Sequence, residues 1–556
     1  MLKRFRWQLL IVFLALVTIG ILLSGQQPVA VQIFEPEPVV GGIYTEGLIG
    51  SFSRLNPLLD TYNPADQDVD RLIYSSLIRY DDRGIPQAEV AESWGISKDA
   101  TVYNFSLRKD ALWHDGEPVT SEDILLTIEF MRSQDLPVPD DIRVMWESIE
   151  VVVLDDYTIQ FRLPEPFAPF LDYLTFGILP AHYFEGATAV ELIDHPFNLS
   201  PVGCGPYRFN RFIVNDDEIE GVSLVAFDDY FGDRAYIDEI NFRYYPDDIQ
   251  ALEAYRQGVV QGISKISRET LDEAFKEESL NLYSSRLPEL MILFFNLDNP
   301  QTPFFQEADI RRALLMGMHR QGIIDRVLDG QAVIADGPVF PNTWAYFEGI
   351  SRVEYDPDQA EKIIREAGYT IPAEGGNIRE NEDISFRFTL VHPDREPYNR
   401  IAEIVQENWA ALGIGVTLVA VPYDTLINDY LETRLYEAAL VDINFSRSPD
   451  PDPYPFWHQT QANNGQNYAM WNDRQASEYL EQARIIVDPA ERTRLYRNFQ
   501  VRFSNELPAL PLFYPIYTFG VSSEVEGIRI GPLLEPGDRF SRITEWYLFS
   551  ERVVTE

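Results

Sequence analysis

Between residues 101 and 131 the apolar residues change spacing, and the change marks a strand, a turn and a helix. Tyr103, Phe105 and Leu107 alternate with polar or small residues, the pattern of a half-buried strand. His114-Asp115-Gly116 makes a tight turn, with Gly116 free to take positive φ. Thr120 suits a helix N-cap, and Asp123 stands three residues on, close to a capping box. Glu122 and Asp123 also suit the positive end of the helix dipole. Ile124, Leu125, Ile128 and Met131 then share one helical face.

The same reading extends along the chain. Ile43 to Leu48 is a strand, and Val69, Leu72, Ile73 and Leu77 mark a helix. Ile149–Leu154 and Tyr157–Leu163 form a hairpin turned at Asp155-Asp156. Val222–Phe227 and Ile237–Tyr245 are strands, Asp247–Gln257 a helix and Gly258–Ile263 a strand. One helix is predicted over Ile310–Leu328, and another starts at Asp356-Pro357 and ends near Gly368. Ile384–Val391, Tyr398–Leu412, Gly415–Val421, Tyr423–Leu431 and Glu437–Phe445 then read βαβαβ. Such strands run parallel, and ligands bind at their carboxyl ends. That points to His392-Pro393-Asp394, to Pro422-Tyr423 and to Asn444-Phe445-Ser446-Arg447. Helices at Gln475–Ile486 and Pro489–Ser504 follow.

The N-terminus is an address label. Lys3, Arg4 and Arg6 precede an apolar run from Leu9 to Leu23, the n- and h-regions of a secretory signal. Residues 1–25 are therefore a signal peptide or an N-terminal membrane anchor. Gln26 stands where a lipidated cysteine would be, so lipid anchoring has no support. Residues 26–40, with Glu35-Pro36-Glu37-Pro38, read as a stiff linker.

At 556 residues the chain exceeds one ordinary domain. Its 45% hydrophobic and 13% aromatic content is that of a folded protein. The net charge of −43 disfavours nucleic acid and anionic lipid as partners. A single cysteine, Cys204, excludes an intrachain disulfide and reads as a small turn residue.

Ala91-Glu92-Ser93-Trp94, then Asp99-x-Thr101-x-Tyr103-x-Phe105-x-Leu107-Arg108, then Trp113-His114-Asp115-Gly116-x-Pro118-x-Thr120-x-x-Asp123 resembles the signature of the family 5 extracellular solute-binding proteins. These are the peptide-, dipeptide- and nickel-type binding components of ABC importers. The run is specific, with a dozen residue types in order over about forty positions. Further resemblances are Gly203-Cys204-Gly205-Pro206-Tyr207, with Cys204 for threonine, and the Arg311-Arg312-Ala313 run. Another is Leu293-Phe294-Phe295-Asn296-Leu297-Asp298-Asn299, where the family's chain crosses between lobes beside the ligand. Together they span nearly everything after residue 40.

The resemblance implies an α/β fold of the two-lobed periplasmic-binding-protein type, class II and large, with an additional subdomain. Lobe I is expected to comprise 41–75, 186–292 and 506–556, the subdomain 76–185, and lobe II 293–505. In peptide-binding members a segment Trp-x-x-Asp-Tyr-x-Asp-Pro supplies an aspartate to the peptide's α-ammonium. Here a gapless reading puts Ser446 at that position, and either Asp-Pro puts Arg447 or Pro449 there. Asp442, Asp450 and Asp452 are the candidate substitutes, the plainer reading of Asp450 and Asp452 being an exposed, proline-rich loop. Asn467-Tyr468 resembles the segment that lines the family's cleft, and Trp344 is either a stacking platform or core. The expected ligand residues are Glu46, Phe295, Asn296, Trp344, Asp442, Asn444, Phe445, Ser446, Arg447, Asn467 and Tyr468.

Enzyme motifs are missing: there is no Gly-x-Ser-x-Gly, no His-Glu-x-x-His and no phosphate-cradling loop. The six histidines lack ligand spacing, so neither a metal nor a cofactor is expected. The predicted role is that of a non-enzymatic, extracytoplasmic, monomeric binding protein that passes a solute to ABC permease subunits. An oligopeptide is the first candidate solute. An oligosaccharide is the alternative, favoured by the displaced aspartate and the amide-rich 463–468 segment. A secreted hydrolase is the remote third.

Overall fold

The computed structural model describes residues 6–24, 33–81, 84–341, 343–373, 375–445, 450–531 and 533–555. Ser446 and Arg447 therefore lie outside the described residues.

One strand joins the two halves of the molecule. Ala509–Ser522 is 14 residues long and buried along most of its length. Its first part pairs with Glu289–Phe295, and its last part, Ile516–Ser522, pairs with Leu280–Arg286. A continuous apolar run of this kind suits a strand covered on both faces. Because of it, one 12-stranded sheet runs through both lobes. On one side lie Ile43–Ile49, parallel to Glu239–Tyr245, and the antiparallel Tyr207–Asn215 and Glu218–Ala226. On the other side Arg387–Pro393 lies parallel both to Gly415–Val421 and to Ala438–Asn444, as the βαβαβ pattern predicts. The expected α/β class and two-lobed architecture are what the chain adopts.

The cores divide accordingly. One gathers Tyr44 through Phe242 with Tyr517 through Trp546, so the subdomain shares its core with lobe I. Two others fill lobe II between Leu290 and Tyr514. The chain passes between these cores at Leu287-Pro288 and again around Pro515, not at 293–299. Leu293 and Phe295 are fully buried strand residues, and Asn296 shapes a turn by donating to the carbonyls of Arg434 at 2.9 Å and Tyr436 at 3.3 Å. The apolar run marks a central strand there, and its end is a turn rather than a crossing.

The signature stretch builds the subdomain. Ala91–Ile96, Val102–Leu107, Thr158–Arg162 and Glu150–Asp155 form an antiparallel sheet. Helix Ser121–Met131 begins with the Thr120/Asp123 capping box. Cys204 is fully buried, and burial raises its thiol to about 12.

Other expectations change. The helix over 310–328 breaks into Ala308–Met316 and Arg320–Val327. The break lets Arg320 donate to the carbonyls of Val353 at 2.7 Å and Pro511 at 3.1 Å. The stiff linker is in part a strand, since Ile33–Val39 pairs antiparallel with Phe549–Thr555. In a two-stranded ribbon both strands are edges, where proline's missing N–H is tolerated. Helix Arg6–Ser24 is 19 residues long, about 28 Å at 1.5 Å per residue. Among the described residues no helix is long and apolar enough to cross a membrane.

Candidate functional site

The parallel strands of lobe II end where the sequence places a ligand. Asp442, near the end of Ala438–Asn444, is half-buried, and the Tyr398 hydroxyl donates to its Oδ1. Tyr398 opens helix Tyr398–Ala411, and Tyr423 follows Gly415–Val421, so both rings stand at strand ends. The Arg395 guanidinium lies 5.0 Å from the centroid of each ring. Burial and then Asp442 raise both phenols, that of Tyr423 to about 12. Both rings thus stay neutral donors towards the carboxylate.

Glu289 comes to the same place by register. It pairs with Asn444 across the antiparallel strands, two positions from the Met291–Asp442 pair. Alternation puts Glu289 and Asp442 on one face. Burial, and then repulsion by Asp442, pushes the Glu289 carboxyl up, while Lys265 pulls it back. Lys265, which pulls it back, is an exposed residue. Two adjacent carboxylates beside aromatic faces attract a cationic group, by charge and by the ring quadrupoles.

The other expected residues take up different positions. Glu46 is sealed in lobe I with 0% exposure. Its carboxylate accepts from Arg539 at 2.6 and 3.0 Å and from the Tyr44 hydroxyl at 2.6 Å. Arg539 also bonds both oxygens of Asp68, at 2.8 and 2.7 Å. Burial pushes Glu46 up and Arg539 opposes the shift. That carboxylate is fully buried among its own partners in this arrangement. Phe295 stacks on Phe305 at 4.1 Å in the core. Phe445 packs on Phe340 and Phe456, and its N–H donates to the Pro288 carbonyl at 2.8 Å. Asn467 is fully buried and donates to the carbonyls of Trp471 at 2.8 Å and His458 at 3.2 Å. The Tyr468 hydroxyl donates to Glu432 at 2.7 Å, with Arg434 4.8 Å over its ring. Trp344 is half-buried, 5.4 Å from Tyr496 and 5.0 Å from the Arg492 guanidinium. Asn444 is exposed beside Glu289 at 3.5 Å.

Asp450 and Asp452 are not an exposed loop. Asp450 is 4% exposed, paired with Arg492, and accepts from the Tyr496 hydroxyl at 2.9 Å. Asp452 pairs with Arg484 at 2.6 Å. Of this cluster, the sequence points to Asp442 and Tyr423 and not to Tyr398, Arg395 or Glu289. Tyr398 and Arg395 lie just past a strand end, a signal that was available. Glu289 depended on cross-strand register, which no local pattern carries.

A family model described as bacterial extracellular solute-binding proteins, family 5 middle, matches residues 86–466. The oligopeptide-binding protein AppA of Bacillus subtilis (strain 168) is 25% identical over 519 residues, covering 92% of this chain and 92% of that protein. The dipeptide-binding protein of Escherichia coli (strain K12) is 25% identical over 515 residues, covering 87% and 91%. Among solved structures, HbpA2 of Haemophilus parasuis aligns with a TM-score of 0.78 at 21% identity, over 89% of this chain and 99% of that one. With its signature subdomain, its two-lobed fold and a family match over most of its length, the chain belongs to the family 5 bacterial extracellular solute-binding proteins.

Proposed function

We propose that the protein captures an oligopeptide between its lobes and delivers it to an ABC importer's permease. Asp442 and Glu289 would receive the peptide's ammonium, and Tyr398 and Tyr423 would flank it. The carrying observation is the half-buried Asp442, oriented by Tyr398 at the carboxyl end of a parallel strand. Its placement obeys the rule for ligand sites in such sheets. The names of the relatives, oligopeptide- and dipeptide-binding proteins, support the class of solute. Asn467, which holds a turn by bonds to Trp471, does not add to the oligosaccharide alternative. Lys3, Arg4 and Arg6 ahead of the apolar helix support export across the membrane, with the lobes outside the cytoplasm.

Closure must favour the bound state for capture to work, so a true ligand raises the melting temperature. In a thermal-shift screen of the full chain in non-ionic detergent, mixed oligopeptides are expected to stabilise it. At a hundred times Kd the gain is about 2.7 kcal/mol. A gain with oligosaccharides and none with peptides would overturn the proposal.

A further inference from the structure

The chain passes from lobe I to lobe II between two charged residues. Arg286 ends the strand Leu280–Arg286, and Glu289 opens the strand Glu289–Phe295. Both strands pair with Ala509–Ser522, Arg286 opposite Ile516 and Met291 opposite Phe513. Asp442 and Lys265 are the charges that act on the buried Glu289 carboxyl, whereas Arg286 acts elsewhere. Burial and then Asp336 push the half-buried Tyr346 phenol up, and Arg352 and Arg286 pull it back. Burial, Tyr346 and Asp336 likewise raise the Tyr514 phenol against the pull of Arg286. Tyr514 packs in the core that holds Leu290, Val441 and Ile443. Glu289 and Asp442 alternate with those residues and face the other way. The arginine and the two carboxylates therefore stand on opposite sides of the same strand ends.

Arg286 is half-buried, yet among the described residues its side chain makes no hydrogen bond and no ion pair. Every other buried or half-buried arginine or lysine among the described residues has a carboxylate or carbonyl partner. Asp336, the acid that acts on the same two phenols, is already met by Arg352 at 3.3 Å and Arg320 at 3.7 Å. The Tyr346 hydroxyl, beside Arg286, also has no hydrogen-bond partner among the described residues. Burying part of a guanidinium without an anion costs free energy. A chain with 88 acidic residues has many partners to offer, and none stands here. A fork of N–H donors next to a neutral hydroxyl is a receptor for a carboxylate.

We infer that Arg286 and Tyr346 form a subsite for a carboxylate of the bound peptide, whose ammonium lies at Asp442 and Glu289. The inference rests on peptide capture as proposed above and adds a second charge to what is recognised. Arg286 and Glu289 are three residues apart along the chain, at most about 10 Å when extended. An extended tripeptide holds its two terminal charges about as far apart. The C-terminal carboxylate of a tripeptide therefore reaches the subsite. In a longer peptide, an aspartate or glutamate at the third position does.

The test is calorimetric titration of the full chain in non-ionic detergent with two matched pairs of probes. One pair is trialanine and its C-terminal amide. The other is a C-terminally amidated pentapeptide with glutamate or glutamine at its third position, alanine elsewhere. The carboxylate member of at least one pair should bind about tenfold tighter or more, the effect of a charge-assisted contact. The pair that discriminates identifies the source of the carboxylate. R286M should erase the difference, and Y346F should reduce it. R286K keeps the charge but loses the planar fork, and should keep only part of it. The melting temperature of R286M should match the parent's, since Arg286 has no partner to lose. Discrimination that survives in R286M would overturn the subsite, as would a lower melting temperature with unchanged affinities. If neither pair discriminates in the parent while N-acetylation still weakens binding, the subsite falls and peptide capture stands. If no peptide binds, both fall together.

Discussion

Glu46, in the middle of Ile43–Ile49, and Asp442, near the end of Ala438–Asn444, are both acids on strands of the central sheet, and they have opposite fates. Glu46 is sealed, and Arg539 and Tyr44 take up its carboxylate. Asp442 is half-buried, and a tyrosine hydroxyl donates to one of its oxygens. A carboxylate paired with a buried arginine under full burial builds the scaffold, because removing its partner strands a charge. A half-buried carboxylate oriented by a neutral donor near a strand end is the one proposed to meet a ligand. The distinction lies in the partners and their burial.

Breaking the sealed side should have the larger effect. R539M strands Glu46 and Asp68 together in the core and is expected to cost about 3–5 kcal/mol of stability. Denaturant unfolding should register the loss, while peptide affinity per folded molecule stays at the parent value. D442N should do the reverse. Loss of a charge-assisted contact of about 1.5–3 kcal/mol weakens peptide binding some 10- to 150-fold. Calorimetric titration reads that loss, and the melting temperature should hardly move.

A third carboxylate sharpens the contrast. Asp70 is 3% exposed, and burial, then Asp60 and Asp66, raise it well above its usual range. A carboxyl raised on folding adds stability that is full below its unfolded value near 4 and is lost as pH rises through its folded value. D70N removes that penalty, so the variant should melt higher than the parent at pH 8 and lose the advantage by pH 4. Glu289 gives the smallest effect. Its raised carboxyl takes up a proton at a higher pH than an ordinary glutamate would. Affinity for free-amine peptides should therefore begin to fall on acidification above the normal carboxylate range. In E289Q that early fall should disappear from the titration profile.

Much of this architecture is legible in the sequence. Alternation and helical spacing locate the subdomain hairpin, helix Ser121–Met131 and the parallel unit of lobe II, because each is a local pattern tied to one buried face. The crossing at Leu287-Pro288 was misplaced because a strand buried on both faces shows no alternation to mark its ends. Only part of the proposed site can be read from the sequence. Strand-end logic leads to Asp442 and Tyr423, whereas Glu289 meets them only through pairing with a strand about 150 positions away. Glu46, Phe295 and Asn467 show the limit of resemblance. Residues near a cleft in sequence also build its walls, and burial separates the two roles. Asp450 and Asp452 were misjudged because their arginine partners lie on distant helices.

The most direct measurement is a double comparison by calorimetry. A tripeptide with a free amine and its N-acetylated form are titrated into the parent protein and into D442N. If Asp442 anchors the ammonium, acetylation weakens binding at least tenfold in the parent and has little effect in D442N. Equal affinities of the two peptides for the parent, or an acetylation penalty that survives in D442N, would contradict the assignment.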